Sequence, residues 1–103
     1  MSNIKESDWK LFRQLHKTAL NRFCERILKD AAAIMAKRGM THHEYYLELY
    51  KHLAEKDKEV GRLFDDLRRS TALIQLRLIC SHSLLTQEEI AQFSPDAQKW
   101  LIP

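Results

Sequence analysis

Glycine and proline are scarce in this chain of 103 residues, which contains only two of each. Both residue types favour turns, so their scarcity excludes a structure assembled from many short elements. Between Ser7 and Ser83, only Arg38-Gly39-Met40 clearly interrupts a helical pattern. The apolar residues are therefore expected to form the faces of a few long helices.

Long apolar runs are also missing. The longest run, residues 31–36, is far shorter than the roughly 20 residues that a membrane-spanning helix needs. Residues 1–10 are polar and lack the apolar core of a signal peptide. Cys24 and Cys80 belong to no paired-cysteine motif and are expected to be reduced thiols. These absences predict a cytoplasmic protein that does not enter a membrane.

The net charge of +3 is unevenly distributed. Residues 1–38 carry nine Lys or Arg against four acids, whereas the remainder of the chain is slightly acidic. A basic surface favours binding to nucleic-acid phosphates. Two basic stripes occur at helical spacing, on different faces of the same segment: Lys10, Arg13 and Lys17, and then Arg22, Arg26 and Lys29. Their offset makes nucleic-acid binding the alternative hypothesis, and a solvated helix face the simpler one.

The first long helix is predicted over residues 8–38. Ser7 and Asp8 are good N-cap residues, and Lys37-Arg38 followed by Gly39 is typical of a C-terminus. One apolar line runs along this helix at steps that place its members on one face: Trp9, Phe12, Leu15, Ala19, Phe23, Ile27 and Ile34. A second line widens the apolar arc in the latter half: Leu20, Cys24, Leu28, Ala31 and Met35. That half is expected to be covered on two sides.

A second helical segment is predicted over residues 42–82. Thr41 and Glu44 form the pattern of a capping box at its start. If Asp57 is counted as a member, residues at steps of three and four form one continuous helix face from His42 through Ile74 to Leu78. A single helix or two helices fit this pattern; we favour a break near residues 56–58, because residues 54–59 offer almost no apolar anchor.

Two short helices are predicted at the end of the chain, over residues 87–93 and 95–101. The first follows a second capping box, Thr86 with Glu89, and the second starts at Pro95 after the N-cap Ser94. They are expected to fold back on the bundle through Ile90, Phe93, Trp100 and Leu101.

These elements predict an all-α fold, either a long helical hairpin or a small elongated helical bundle. It forms one domain over residues 1–103, with residues 1–6 as a disordered tail. The first helix would be about 46 Å long, which exceeds the diameter of a compact globule of this size. The protein is therefore expected to be elongated, and pairing with a second copy as a homodimer is favoured.

Two groups of residues are candidates for partner binding. Tyr45, Tyr46 and Tyr50 form an aromatic patch, and tyrosine is favoured at protein interfaces. Tyr46 and Tyr50 are expected to stack with Tyr45 turned outward, although core packing on Phe12 or Phe23 is the simpler interpretation. Arg68 and Arg69 lie in the densest charged segment, where nearby aspartates also allow a purely helix-supporting role.

The sequence shows no motif for catalysis, and no catalytic residue, metal or cofactor is predicted. Glu48, His52 and Glu55 share a helix face, but a bundle metal site needs a second copy of such a step. No serine, cysteine or lysine has the surroundings of an activated nucleophile. The leading hypothesis is a small non-enzymatic interaction module, an adaptor or regulator that self-associates and binds an unidentified protein.

Overall fold

Five α-helices account for most of residues 4–101, the part of the chain that the computed structural model describes. They are α1 (Glu6–Met35), α2 (His42–Phe64), α3 (Ala72–Ser81), α4 (Gln87–Ile90) and α5 (Pro95–Leu101). A single 3-10 turn, Arg69–Thr71, leads into α3. No strand occurs in this part of the chain, and the predicted all-α fold with two long packed helices is confirmed.

The chain reverses between α1 and α2 in the short loop 36–41. Gly39 adopts a φ of +83°, a left-handed conformation that glycine accepts without strain. Thr41 then caps α2: its hydroxyl accepts from the Glu44 amide at 3.1 Å, and the Glu44 carboxylate accepts from the Thr41 amide at 2.8 Å. The predicted capping box is thus present, and the two long helices form an antiparallel hairpin.

The core lies at the end of the hairpin opposite the 36–41 loop. The face of α1 predicted from periodicity is buried from Phe12 to Ile27, and it packs against the end of α2 and against α3 and α5. The buried partners from those later elements are Leu63, Phe64, Leu73, Leu76, Ile79, Phe93, Ala97 and Leu101.

The break in the second segment lies at residues 65–68, so the break favoured near residues 56–58 is wrong. Helix α2 runs continuously through that stretch, where Lys56 and Glu59 form an i,i+3 ion pair at 2.9 Å. A solvated helix face with such pairs needs no apolar anchor. The helix ends at Phe64 because the backbone of Asp65 is already extended, with a ψ of 158°. Asp66 then takes a left-handed φ of +65°, which turns the chain further.

The break also resets the apolar phase. The unbroken pattern to Leu78 predicts that Ile74 and Leu78 face inward, yet both are exposed. Helix α3 instead buries Leu73, Leu76 and Ile79, whose side chains point to the core after the chain has turned.

Smaller differences concern the helix ends. Helix α1 ends at Met35 instead of residue 38, and α4 ends at Ile90 instead of residue 93. Of the tail predicted over residues 1–6, residues 1–3 lie outside the described residues. Ile4 is buried in the core and Glu6 already begins α1. Near the other end Leu101 is buried as expected, while Trp100 is exposed.

The molecule is elongated, as predicted, with principal extents of 53 × 25 × 23 Å. Its radius of gyration is 16.8 Å, against about 13 Å for a compact domain of this length. The excess length comes from residues 28–59, which extend beyond the core and are called the arm here. Within residues 4–101, no helix has a stretch long and apolar enough to cross a bilayer.

Candidate interaction surfaces

One side of the arm exposes apolar and aromatic side chains. These are Leu28 and Met35 on α1 and Tyr46, Tyr50 and Leu53 on α2, and they are called the arm face here. Leu28 and Met35 are seven residues apart, and the three residues on α2 follow at steps of four and three, so each set lies along one side of its helix. Leu28 and Tyr50 are each 65% exposed, and it is their place in a contiguous apolar patch that makes this exposure informative.

Two adjoining grooves connect the two halves of the arm face. One, of about 680 Å³, lies between the helices and is lined by Ile27, Tyr50 and Leu53 among others. The other, of about 440 Å³, lies over α1 beside Leu28. Cys24 lines both grooves, so the apolar surface is continuous across the two helices.

The three tyrosines of the predicted aromatic patch do not share one role. Tyr46 and Tyr50 are neighbours on the arm face, with ring centroids 6.4 Å apart, as their spacing predicts. They do not pack in the core on Phe12 or Phe23, because both are more than 60% exposed. The outward orientation predicted for Tyr45 is wrong: its ring is half-buried and its hydroxyl donates to the Lys37 carbonyl.

Polar contacts between the helices fix the arm. The His52 ring donates from Nε2 to the Ile27 carbonyl at 3.1 Å, and Lys37 forms an ion pair with Glu48. Glu48 and His52 are thus engaged in helix pairing. The described residues contain no group of three His, Cys, Asp or Glu side chains that could hold a metal ion.

Arg68 and Arg69 lie at the other end of the molecule from the tyrosines. Tyr50 is 14 residues before the end of α2, a rise of about 21 Å along the helix axis. Arg68 donates to the Asp66 carboxylate at 2.5 and 3.2 Å, and this contact lowers the pKa of Asp66. Arg69 pairs with Glu6 on α1 at 2.7 Å. Arg68 therefore neutralises an acid at the break, Arg69 neutralises one at the start of α1, and neither forms one site with the tyrosines.

The second basic stripe of α1 is used to hold the fold together. Arg22 donates to both oxygens of Glu89 and to the Leu84 carbonyl, and Arg26 donates to the carbonyls of His82 and Ser83. These hydrogen bonds satisfy the backbone carbonyls of residues 82–84, just after α3, which would otherwise need water. Lys29 lies 3.7 Å from Glu25 on the same helix. Arg22 and Arg26 are consequently engaged in contacts within the protein, whereas Lys29 has only an exposed ion pair.

The first basic stripe has different surroundings. Lys10, Arg13 and Lys17 are exposed and line one side of a cleft of about 420 Å³, together with Gln14, His16 and Leu67. None of the three cations lies within ion-pair distance of an acid among residues 4–101. Arg13 lies 5.9 Å from the centroid of the Trp9 ring, a cation–π contact that orients its guanidinium.

Sequence reasoning missed the polar contact that docks the C-terminal segment. Asp8 is 97% buried and accepts from both the amide and the hydroxyl of Ser94, at 2.9 and 2.6 Å. The Ser94 hydroxyl in turn accepts from Ala97 at 3.3 Å, at the start of α5. Asp8 was expected to cap α1 and instead supports the cap of α5, a relationship that only the tertiary structure creates.

Reactive groups are few in the described residues. Burial raises the pKa of the Cys80 thiol to about 11, so the thiolate that would act as a nucleophile is not formed near neutral pH. Cys24 lies on α1 where the two grooves meet, and no histidine is among the residues that line them. Searches against protein-family models, curated proteins and solved structures find no match to this chain.

Proposed function

We propose that this protein is a small non-enzymatic interaction module that works as a homodimer, with the arm faces of two copies packed against each other. The observation that supports it is the continuous apolar surface across both helices of the arm, centred on Leu28 and Tyr50. Exposed apolar patches of this kind are typical of protein contact sites. A cytoplasmic adaptor or regulator would present its remaining surfaces to a further protein partner.

The exposed area of the chain supports a second copy as the occupant. The chain has a mass of 12.2 kDa and an accessible surface of 7287 Å². A compact monomer of this mass exposes about 6,100 Å², so the excess is about 1,200 Å². A standard stable interface removes about 800 Å² from each partner. The excess is therefore large enough for a dimer interface.

The shape of the arm also suits symmetric pairing. Two antiparallel helix pairs that pack face to face form a four-helix bundle, in which each apolar face is covered by its equivalent. Charges of both signs border the arm face, with Glu25 and Lys29 on one side and Lys56 and Asp57 on the other. Such a polar rim around an apolar centre is the usual anatomy of an interface.

The proposal is tested by measuring mass in solution. Sedimentation equilibrium across micromolar concentrations should give a species of twice 12.2 kDa. The substitutions Leu28→Glu and Tyr50→Glu should each produce a monomer, because a buried carboxylate in the apolar centre is strongly unfavourable. Ile74→Glu is the matched control, since Ile74 is 66% exposed and lies on α3 outside the arm.

Circular dichroism of each variant establishes that helix content is retained. A wild-type protein that is monomeric throughout this range overturns the proposal, and the arm face would then belong to a different protein. A dimer that persists in both arm variants but dissociates in Ile74→Glu places the interface elsewhere and equally overturns it.

A further inference from the structure

We infer that the cleft beside Lys10, Arg13 and Lys17 binds an oligophosphate, a ligand that carries consecutive phosphate groups. The cleft lies at the core end of the molecule, and the inference is independent of the arm face. It distinguishes these three cations from Arg22 and Arg26, which hold structural contacts, and from Lys29, which has an acid beside it.

The three cations lie close together without neutralisation. Steps of three and four residues place Lys10, Arg13 and Lys17 on one face of α1, where like charges repel each other. No acid lines the cleft. Two acids close in sequence to its lining residues are engaged elsewhere: Asp8 with Ser94, and Asp66 with Arg68. An anion in the cleft would relieve the repulsion that the protein itself leaves in place.

The spacing of the cations favours more than one phosphate. Seven residues separate Lys10 from Lys17, a rise of about 10 Å along the helix. Two or three phosphate groups in a chain are long enough to follow that span and to contact all three side chains. The cleft volume of about 420 Å³ also exceeds the size of a single ion.

The individual side chains suit phosphate chemistry. A guanidinium offers several donors in a planar fork that matches phosphate oxygens, and an ammonium is a compact positive charge. Arg13 is oriented by the Trp9 ring. His16 donates from Nε2 to the Phe64 carbonyl at 3.0 Å, which fixes the ring at the wall of the cleft, and Leu67 supplies an apolar wall.

Calorimetric titration at low salt tests the inference with two probes, inorganic tripolyphosphate and a mixed-sequence single-stranded oligonucleotide. The cleft variant combines Lys10→Gln, Arg13→Gln and Lys17→Gln. The control variant combines Lys51→Gln, Lys58→Gln and Arg77→Gln, three exposed cations without ion pairs among residues 4–101. Both variants have the same net charge, so a general charge effect would change them equally.

We expect wild type and the control variant to bind at least one probe with similar affinity, and the cleft variant to bind about tenfold more weakly or worse. For a nucleic-acid strand held by three cations, the slope of log affinity against log salt is about −2 and is lost in the cleft variant. Tripolyphosphate that displaces the oligonucleotide identifies a free oligophosphate as sufficient. Binding of the oligonucleotide alone identifies the strand as the source of the phosphates.

An equal loss of affinity in the two variants would show that binding depends only on net charge, and it would overturn the inference. The absence of binding by both probes would overturn it as well. The Leu28→Glu variant separates this site from the dimer. It should bind the probe as wild type does, whether or not the arm faces pair.

Discussion

The guanidinium of Arg22 on α1 donates two hydrogen bonds to the carboxylate of Glu89 on α4, at 2.7 and 2.9 Å. The same carboxylate accepts from the Thr86 amide at 2.8 Å and so closes the capping box of α4. Arg22 also donates to the Leu84 carbonyl at 2.8 Å. One ion pair therefore attaches the C-terminal segment to the first helix across 67 positions of the chain.

This ion pair predicts a loss of stability in acid. The hydrogen bonds from Arg22 lower the pKa of Glu89 from 4.5 to about 2. A carboxylate whose pKa is lower in the folded state stabilises the fold above the unfolded pKa, near 4.5, and loses that contribution as the pH falls toward 2. After allowance for solvent screening of a partly exposed pair, we expect about 1–2 kcal/mol.

The measurement is the free energy of unfolding in urea at about pH 7 and about pH 3. Glu89→Gln should be less stable than wild type at neutral pH, and the difference should shrink in acid. Glu88→Gln is the control, because the neighbouring Glu88 is exposed and has no ion pair in the described residues. A difference between Glu89→Gln and wild type that is the same at both pH values would contradict the role given to the ion pair.

The first helix could be predicted well because its apolar residues recur regularly over many turns and all lie on one face. Phe12, Ala19 and Phe23 are buried as their spacing indicates. A regular apolar line over several turns has few other interpretations. The capping boxes at Thr41 and Thr86 were equally predictable, since both members of each box are three residues apart in sequence.

The break after α2 could not be predicted from residue types. Neither glycine nor proline marks residues 65–68, and the left-handed residue there is Asp66. Its conformation is supported by the hydrogen bonds from Arg68 and by the packing of α3 on the core. Once the break is misplaced, the phase of every later apolar residue is misplaced with it, which explains the error at Ile74.

The candidate surfaces were predicted only in part for a related reason. Periodicity places Tyr46 and Tyr50 on one side of α2 but does not say whether another helix covers that side. The structure leaves it open because the arm extends beyond α3 and α5. Which basic residues of α1 are engaged in structural contacts, and which stay exposed, could not be predicted either. Contacts such as that of Arg26 with the His82 carbonyl arise only when the C-terminal segment folds onto α1.

The orientation of α3 predicts effects of very different size for two residues that are two positions apart. Leu76 is fully buried, whereas Ile74 is 66% exposed. Leu76→Ala removes buried methyl groups and leaves a cavity, so it should lower the free energy of unfolding by about 2–5 kcal/mol. Ile74→Ala should change it by less than about 0.5 kcal/mol.

Urea denaturation of both variants gives the comparison directly. If the apolar phase continued from α2 without a break, Ile74 would face the core and the larger loss would occur there. Comparable losses at the two positions would also contradict the observed orientation of α3.

The two glycines predict effects of opposite sign for the same substitution to alanine. Gly61 lies inside α2, where glycine costs about 1 kcal/mol relative to alanine. A Cβ at this position would lie 3.2 Å from Oδ2 of Asp65, the end of an exposed side chain that can rotate away. Gly61→Ala should therefore raise the free energy of unfolding, by up to about 1 kcal/mol.

Gly39 is expected to behave differently because its backbone conformation, and not its surroundings, requires glycine. No atom lies within 4 Å of a Cβ built there, but its φ is +83°. An alanine in this left-handed region is strained by about 1–2 kcal/mol, so Gly39→Ala should lower stability by that amount. Gly39→Asn should lower it less, since asparagine enters this region more readily. Thermal unfolding of the variants at one protein concentration measures all these shifts, and a destabilised Gly61→Ala variant would show that the Asp65 carboxylate is held where the new methyl group must lie.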